Sequence, residues 1–362
     1  MSGGIFGYNA LGLSVTMTCP LECAHCITNS SPRSREEMPL DEALKYLRDA
    51  RGAIDHVSVT GGEPFLNRAR LEMIVAEAKA LGYIVSIMTS AFWARDADDT
   101  RRTLRRLRTL GLDMIGVSLD RFHLAFVDEQ RAINVAEAAD ELDLHVAVRV
   151  ISASNDDYGD HVKAILEHTR AEVRVNYLVK LGRASTLPDV MFKSVKHVPR
   201  ERCETVTAAD VVPGGDVYAC CGPGLYMSES NPLIIGNAQR ENLFDILERG
   251  LCNPFMKVIN TRGPNGLLED LEAHGCGDLV KIRDTYTDAC QLCMDICNNP
   301  EAVEVLQSIY ARKEVRREQN AAQFLKMVAD YKSAQVARKN FFPVAAPRRD
   351  LGNARSRIWG AP

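Results

Sequence analysis

Between Leu11 and Val179 short apolar segments alternate with longer stretches at helical spacing, the pattern of a parallel sheet with crossover helices. The spacing predicts strands at 12–18, 54–60, 83–89, 113–119, 144–151 and 172–179. It predicts helices at 39–50, 66–81, 97–110, 126–142 and 158–170. Gly82 and Gly111 fall where two of these helices should stop.

Reading the strands at period two adds an orientation. Val146, Val148 and Val150 oppose His145, Ala147 and Arg149, and Ile115, Val117 and Leu119 oppose Gly116, Ser118 and Asp120. Val57 and Val59 oppose His56, Ser58 and Thr60, and Val173, Val175 and Tyr177 oppose Arg174 and Asn176. A sheet covered by helices on both faces is apolar on both. One repeated polar face therefore predicts six strands curled into an incomplete (β/α)6 barrel, helices outside and a ligand-facing surface inside. Ligands of such a barrel gather at the C-terminal strand ends.

After Val179 the texture changes. Residues 180–300 hold eight of the eleven cysteines, and helical spacing returns from Glu301 to Asn340. The expected division is an α/β partial barrel at 1–185, a smaller cysteine-rich domain at 186–300 and a helical, basic tail at 301–362. Residues 311–362 carry 12 Lys or Arg against 4 Asp or Glu, a balance of +8 within a total of −4, which leaves −12 for the body. That acidic body speaks against nucleic-acid binding. No apolar run approaches the roughly 20 residues of a membrane helix, and Met1 to Tyr8 has no secretory pattern. A cytoplasmic protein is expected, in which the cysteines serve metal or metal-sulfur ligation rather than disulfides.

The candidate chemistry centres on Cys19, Cys23 and Cys26, spaced C-x3-C-x2-C with His25 beside the last. Three thiolates on one short loop hold three irons of a [4Fe-4S] cluster and leave the fourth open, whereas an electron-transfer cluster takes four cysteines. Structural zinc takes four ligands, usually in two pairs. Gly61-Gly62-Glu63-Pro64 follows at the end of the next strand. The triad and this segment together resemble the radical S-adenosylmethionine (SAM) superfamily, over residues 12 to about 185.

The resemblance implies that Cys19, Cys23 and Cys26 bind the cluster and that Gly61, Gly62, Glu63 and Pro64 meet the amino group of SAM. It further implies that Ser118 contacts its ribose or carboxylate, while Arg149 on the next strand offers a fork to that carboxylate. Asp120 and His123 are weaker candidates for the substrate side, with helix capping as the alternative. Thr89-Ser90-Ala91 stands where many members have Thr-Asn-Gly, and Phe92-Trp93 reads as packing. Gly182-Arg183-Ala184 resembles a segment common where an auxiliary-cluster domain follows.

Cys203, Gly215 and Cys220 form C-x11-G-x4-C around a hairpin turn at Pro213-Gly214-Gly215, and Cys290, Cys293 and Cys297 form C-x2-C-x3-C. These resemble the Twitch and SPASM auxiliary iron-sulfur domains, without the cysteines of a full two-cluster SPASM domain. One auxiliary [4Fe-4S] cluster is expected, held by Cys203, Cys220, Cys290 and Cys293. Cys297, Cys276 and Cys221 compete for single places, and zinc is the alternative metal. Cys252 reads as a small core residue.

The activity implied is reductive cleavage of SAM and abstraction of hydrogen from a C–H bond, the electron coming from flavodoxin or ferredoxin. The leading substrate is a ribosomally made precursor peptide. With 18 residues before Cys19, no fused leader-binding module is expected. The alternatives are oxidation of a small-molecule alcohol and a non-catalytic, cysteine-rich metal-binding scaffold.

Overall fold

Six parallel strands lie side by side in chain order: β1 (Ala10–Ser14), β2 (His56–Thr60), β3 (Ile84–Thr89), β4 (Met114–Ser118), β5 (His145–Ser152) and β6 (Glu172–Tyr177). They belong to a computed structural model that describes residue 8 and residues 10–154, 159–203, 205–220 and 223–341. The crossovers carry α1 (Leu40–Asp49), α2 (Arg68–Ala80), α3 (Ala97–Leu110), α4 (Arg121–Leu124), α5 (Glu129–Glu141) and α6 (Gly159–His168). Gly82 and Gly111 follow α2 and α3 as expected. Helix α5 starts later than its apolar spacing suggests, because Phe126 and Val127 still donate to the His123 carbonyl of the separate short helix α4, which Asp120 caps.

The two strand faces divide as the period-two reading requires. Leu11, Leu13, Val57, Val59, Val85, Ile87, Ile115, Val117, Val148 and Val150 are buried on one side against the helices. The other side carries Ser14, Ser58, Ser86, Ser118 and Arg149. Ser118 and Arg149 are partners in register across β4 and β5. Strand β1 ends four residues before the predicted limit, since Val15 and Met17 donate to the carbonyls of Thr60 and Glu36 and the chain enters the cysteine loop.

Residues beyond the barrel add to the same sheet. β7 (Ala208–Val211) pairs in parallel with β1, and β8 (Asp216–Tyr218) and β9 (Ile234–Asn237) continue antiparallel. The hairpin turn falls at Pro213-Gly214-Gly215, where Gly215 donates to the Val212 carbonyl at 3.0 Å. Helices α7 (Leu243–Leu251), α8 (Pro254–Arg262), α9 (Asn265–Ala273), α10 (Ala289–Cys297), α11 (Pro300–Tyr310) and α12 (Lys313–Phe341) follow. Their apolar faces join the barrel's outer face in one core, with Ile246, Phe255, Leu271, Leu306 and Tyr310 in its C-terminal part.

Cys252 departs from expectation and is exposed. Helix α7 buries Leu243, Ile246, Leu247 and Gly250, and Cys252 caps its end, off that stripe. Among the described residues no helix is long and apolar enough to cross a membrane. The basic stretch beyond Phe341, and Cys221, lie outside the described residues.

Candidate functional site

The cysteine loop hangs between the end of β1 and an extended return segment. Cys19 donates its backbone N–H to the Ser31 carbonyl at 3.1 Å, Thr18 Oγ1 donates to the Ser34 carbonyl at 2.8 Å, and Cys26 closes a turn onto the Cys23 carbonyl at 3.1 Å. Cys19 and Cys23 are buried and Cys26 partly so. Burial, and then the charges of Glu63 and Cys26, push the Cys19 thiol up to about 12. Burial, with Cys19, Cys26 and Asp120, does the same to Cys23. Without metal the Cys19 and Cys23 sulfurs hold their protons, and a thiophilic metal centre replaces those protons when it binds.

The glycine pair is explained by what lies beside it. Gly61 has φ +126°, and a Cβ there would run into the Thr16 carbonyl; one on Gly62 would run into the Thr18 carbonyl. Gly62 and Glu63 donate to these same carbonyls, the latter at 3.0 Å. The glycines therefore let the end of β2 touch the root of the cysteine loop.

Glu63 turns its side chain into the protein, where it is fully buried. One oxygen accepts from Thr89 Oγ1 at 2.9 Å and Phe65 N–H at 3.2 Å; the other accepts from Ser90 N–H at 2.8 Å and Ser90 Oγ at 2.6 Å. Burial drives its pKa up and outweighs these four donors. The Thr89-Ser90-Ala91 departure thus has a function: it holds the glycine-rich segment. Ala91 takes φ +59° at the position where many members carry glycine. Trp93 stacks on Phe65 at 4.2 Å and donates to Thr89 Oγ1 at 3.1 Å, which is the packing expected of it.

Asp120 is committed to structure. Its Oδ1 accepts from the N–H groups of Phe122 (3.0 Å) and His123 (3.1 Å) and lies 2.9 Å from His123 Nδ1; Oδ2 accepts from Ile151 N–H at 3.2 Å. Burial acts to raise its pKa, yet the bond to His123 and the charges of His123 and His25 hold it below the ordinary carboxylate value. His25 stacks on Phe122 and stands edge-on to His123, each at 4.8 Å. Burial lowers its pKa to about 4. Its buried Nδ1 has no hydrogen-bond partner among the described residues. The sequence offered Asp120 and His123 as joint candidates but gave no reason to add His25, which packs on Phe122 and His123 of the short α4 turn.

The second cysteine set converges from three segments. Cys203, Cys220, Cys290 and Cys293 line one cavity whose remaining walls are apolar, including Val206, Met227, Leu233, Ile259 and Pro264. Four thiols around an apolar cavity fit a [4Fe-4S] cluster or a zinc ion. Cys297, on the same helix as Cys290 and Cys293, is buried in the main core with its thiol against Cys293. Cys276 does not line the cavity and points its thiol at the His274 carbonyl at 3.5 Å.

A three-thiol loop, a glycine turn docked on its root and polar strand ends on a parallel sheet define a class. Residues 13–142 match the family described as the Radical SAM superfamily, and this segment is a radical SAM domain, a fold that binds a [4Fe-4S] cluster and SAM. Among individual proteins, YydG of Bacillus subtilis (strain 168), which bears the name of a peptide biosynthesis protein, is 19% identical over 305 residues, 82% of this chain and 94% of that one. The PqqA peptide cyclase of Bradyrhizobium diazoefficiens is 29% identical over 155 residues, 39% of this chain and 38% of its own length. Of solved structures, native anSMEcpe with bound AdoMet and Cp18Cys peptide is similar with a TM-score of 0.47 and 13% identity, over 83% of this chain and 99% of that one.

Proposed function

We propose that this chain is a radical SAM maturase that abstracts hydrogen from a C–H bond of a ribosomally made precursor peptide. The observation that carries the substrate class is the likeness to YydG, which extends over 82% of the chain and so includes the second cysteine set. In this reading Cys19, Cys23 and Cys26 hold the catalytic cluster. Gly61, Gly62, Glu63, Pro64, Ser118 and Arg149 form the SAM site, and Cys203, Cys220, Cys290 and Cys293 hold one auxiliary cluster.

The bound cluster and SAM supply a 5′-deoxyadenosyl radical strong enough to take an unactivated hydrogen. The chain's own part is placement. Ser118 at the end of β4 and Arg149 within β5, partners in register, present a hydroxyl and a guanidinium side by side. Such a pair suits a carboxylate. Glu63 contributes its backbone to the SAM side and gives its carboxylate to the β3 end. The apolar cavity around the second set keeps water from the auxiliary cluster. The required electron comes from a small reductant such as flavodoxin or ferredoxin. Cysteines serving as cluster ligands suit a reducing compartment, the cytoplasm.

The test uses reconstituted enzyme, SAM, a reductant and a deuterated precursor peptide from a neighbouring short reading frame. Deuterium appearing in 5′-deoxyadenosine, with a matching mass change in the peptide, is the expected result. Turnover that transfers deuterium only from a small-molecule alcohol would overturn the substrate class.

A further inference from the structure

The connection leaving β6 carries three consecutive residues whose contacts converge on the cysteine loop. Gly182 takes φ +58°, and a Cβ there would lie 2.6 Å from the carbonyl oxygens of both Cys26 and Ile27. Two main chains therefore touch at this point, and only glycine permits it. The N–H of Arg183 donates to the Cys26 carbonyl at 3.0 Å. Its guanidinium donates to the carbonyls of Cys23 at 2.6 Å, Ser30 at 2.9 Å and Asn29 at 3.0 Å. Ala184 is fully buried in the small apolar cluster that contains Cys19 and Cys23.

Arg183 ties the Cys23–Ser30 part of the loop together through four backbone carbonyls, and no carboxylate neutralises it among the described residues. Arginine suits this task because its planar fork serves several acceptors at once and its charge is permanent. A reduced cluster carries one more negative charge than an oxidised one, so a fixed cation beside a ligand's own carbonyl favours the reduced state. Charge and hydrogen bonding near the sulfurs are among the levers that set cluster potentials.

We infer that Arg183 is a positioning residue that holds the cysteine loop in its cluster-binding shape and raises the reduction potential of the cluster on Cys19, Cys23 and Cys26. The redox half rests on the site reading proposed above; the clamp half does not need a bound cluster.

The test compares the parent with Arg183→Lys and Arg183→Gln. In metal-free protein, iodoacetamide should alkylate Cys19, Cys23 and Cys26 several-fold faster in both variants, since neither side chain reaches all three carbonyls. In reconstituted protein, a redox titration followed by EPR, with SAM addition marking the signal of the open cluster, should place Arg183→Gln at a more negative potential. Arg183→Lys, which keeps the charge, should stay near the parent. Alkylation rates equal to the parent's in both variants would overturn the clamp, and an unchanged potential in Arg183→Gln would overturn the electrostatic role. A parent that binds no iron at the triad, while the alkylation difference persists, would overturn the site reading and leave the clamp standing.

Discussion

Ser90 gives both its backbone N–H, at 2.8 Å, and its hydroxyl, at 2.6 Å, to one oxygen of Glu63. The other oxygen is equally committed, to Thr89 Oγ1 and the Phe65 N–H. In Glu63→Gln either orientation of the amide sets an NH2 group against a backbone N–H. A buried donor left without an acceptor costs about 1–3 kcal/mol. Thermal or denaturant unfolding of the metal-free protein should show a loss of that order; an unchanged midpoint would contradict the network.

Asp210 supplies a pH signature. It lies on β7 opposite Gly12, with Ser14 Oγ at 3.1 and 3.2 Å from its oxygens, and burial raises its pKa from an ordinary 3.8 to about 7. The folded value lies above the unfolded one. Its contribution to stability is therefore fully present below about pH 3.8 and is lost as pH rises through about 7. The loss is bounded at roughly 4 kcal/mol, taking 1.36 kcal/mol per pKa unit. Asp210→Asn keeps an acceptor for Ser14 without the charge. Its unfolding free energy should vary less between pH 4 and 8, and at pH 8 it should exceed the parent's; parallel pH profiles would refute the assignment.

The barrel was legible because its strands obey one rule. Val57, Val59, Val146, Val148 and Val150 alternate with polar partners, and all are buried against helices. The pairing of β7 with β1 was not legible, because Ala208–Val211 is a short apolar segment that names no partner. Cys19, Cys23, Cys26 and the glycine pair announced themselves by spacing. The network at Glu63 did not, since Thr89 and Ser90 are ordinary strand-end residues until the fold turns them toward a buried carboxylate.

The glycine pair gives a selective prediction. A methyl group on Gly62 meets backbone at the Thr18 carbonyl rather than a movable side chain, so Gly62→Ala should displace the cysteine loop. With two [4Fe-4S] clusters in the parent, iron and sulfide should fall by about half, the auxiliary cluster remaining. Full iron content would show that the loop tolerates the displacement.

The cysteines of the second set should separate by position. Cys203→Ala and Cys290→Ala remove thiols from the cavity wall and should abolish the auxiliary absorbance. Cys276→Ala, whose thiol faces the His274 carbonyl, should leave it intact. Iron analysis and Mössbauer spectra of each variant check this. Stoichiometric zinc in place of iron in the parent would reassign the site.

The central claim is radical initiation at the N-terminal triad, and 5′-deoxyadenosine release tests it most directly. Anaerobically reconstituted parent given SAM, reductant and precursor peptide should release 5′-deoxyadenosine. A variant combining Cys19→Ala, Cys23→Ala and Cys26→Ala should release none, although its auxiliary cluster is retained. Equal release by both proteins, or none from a parent with its cluster fully loaded, would contradict the account.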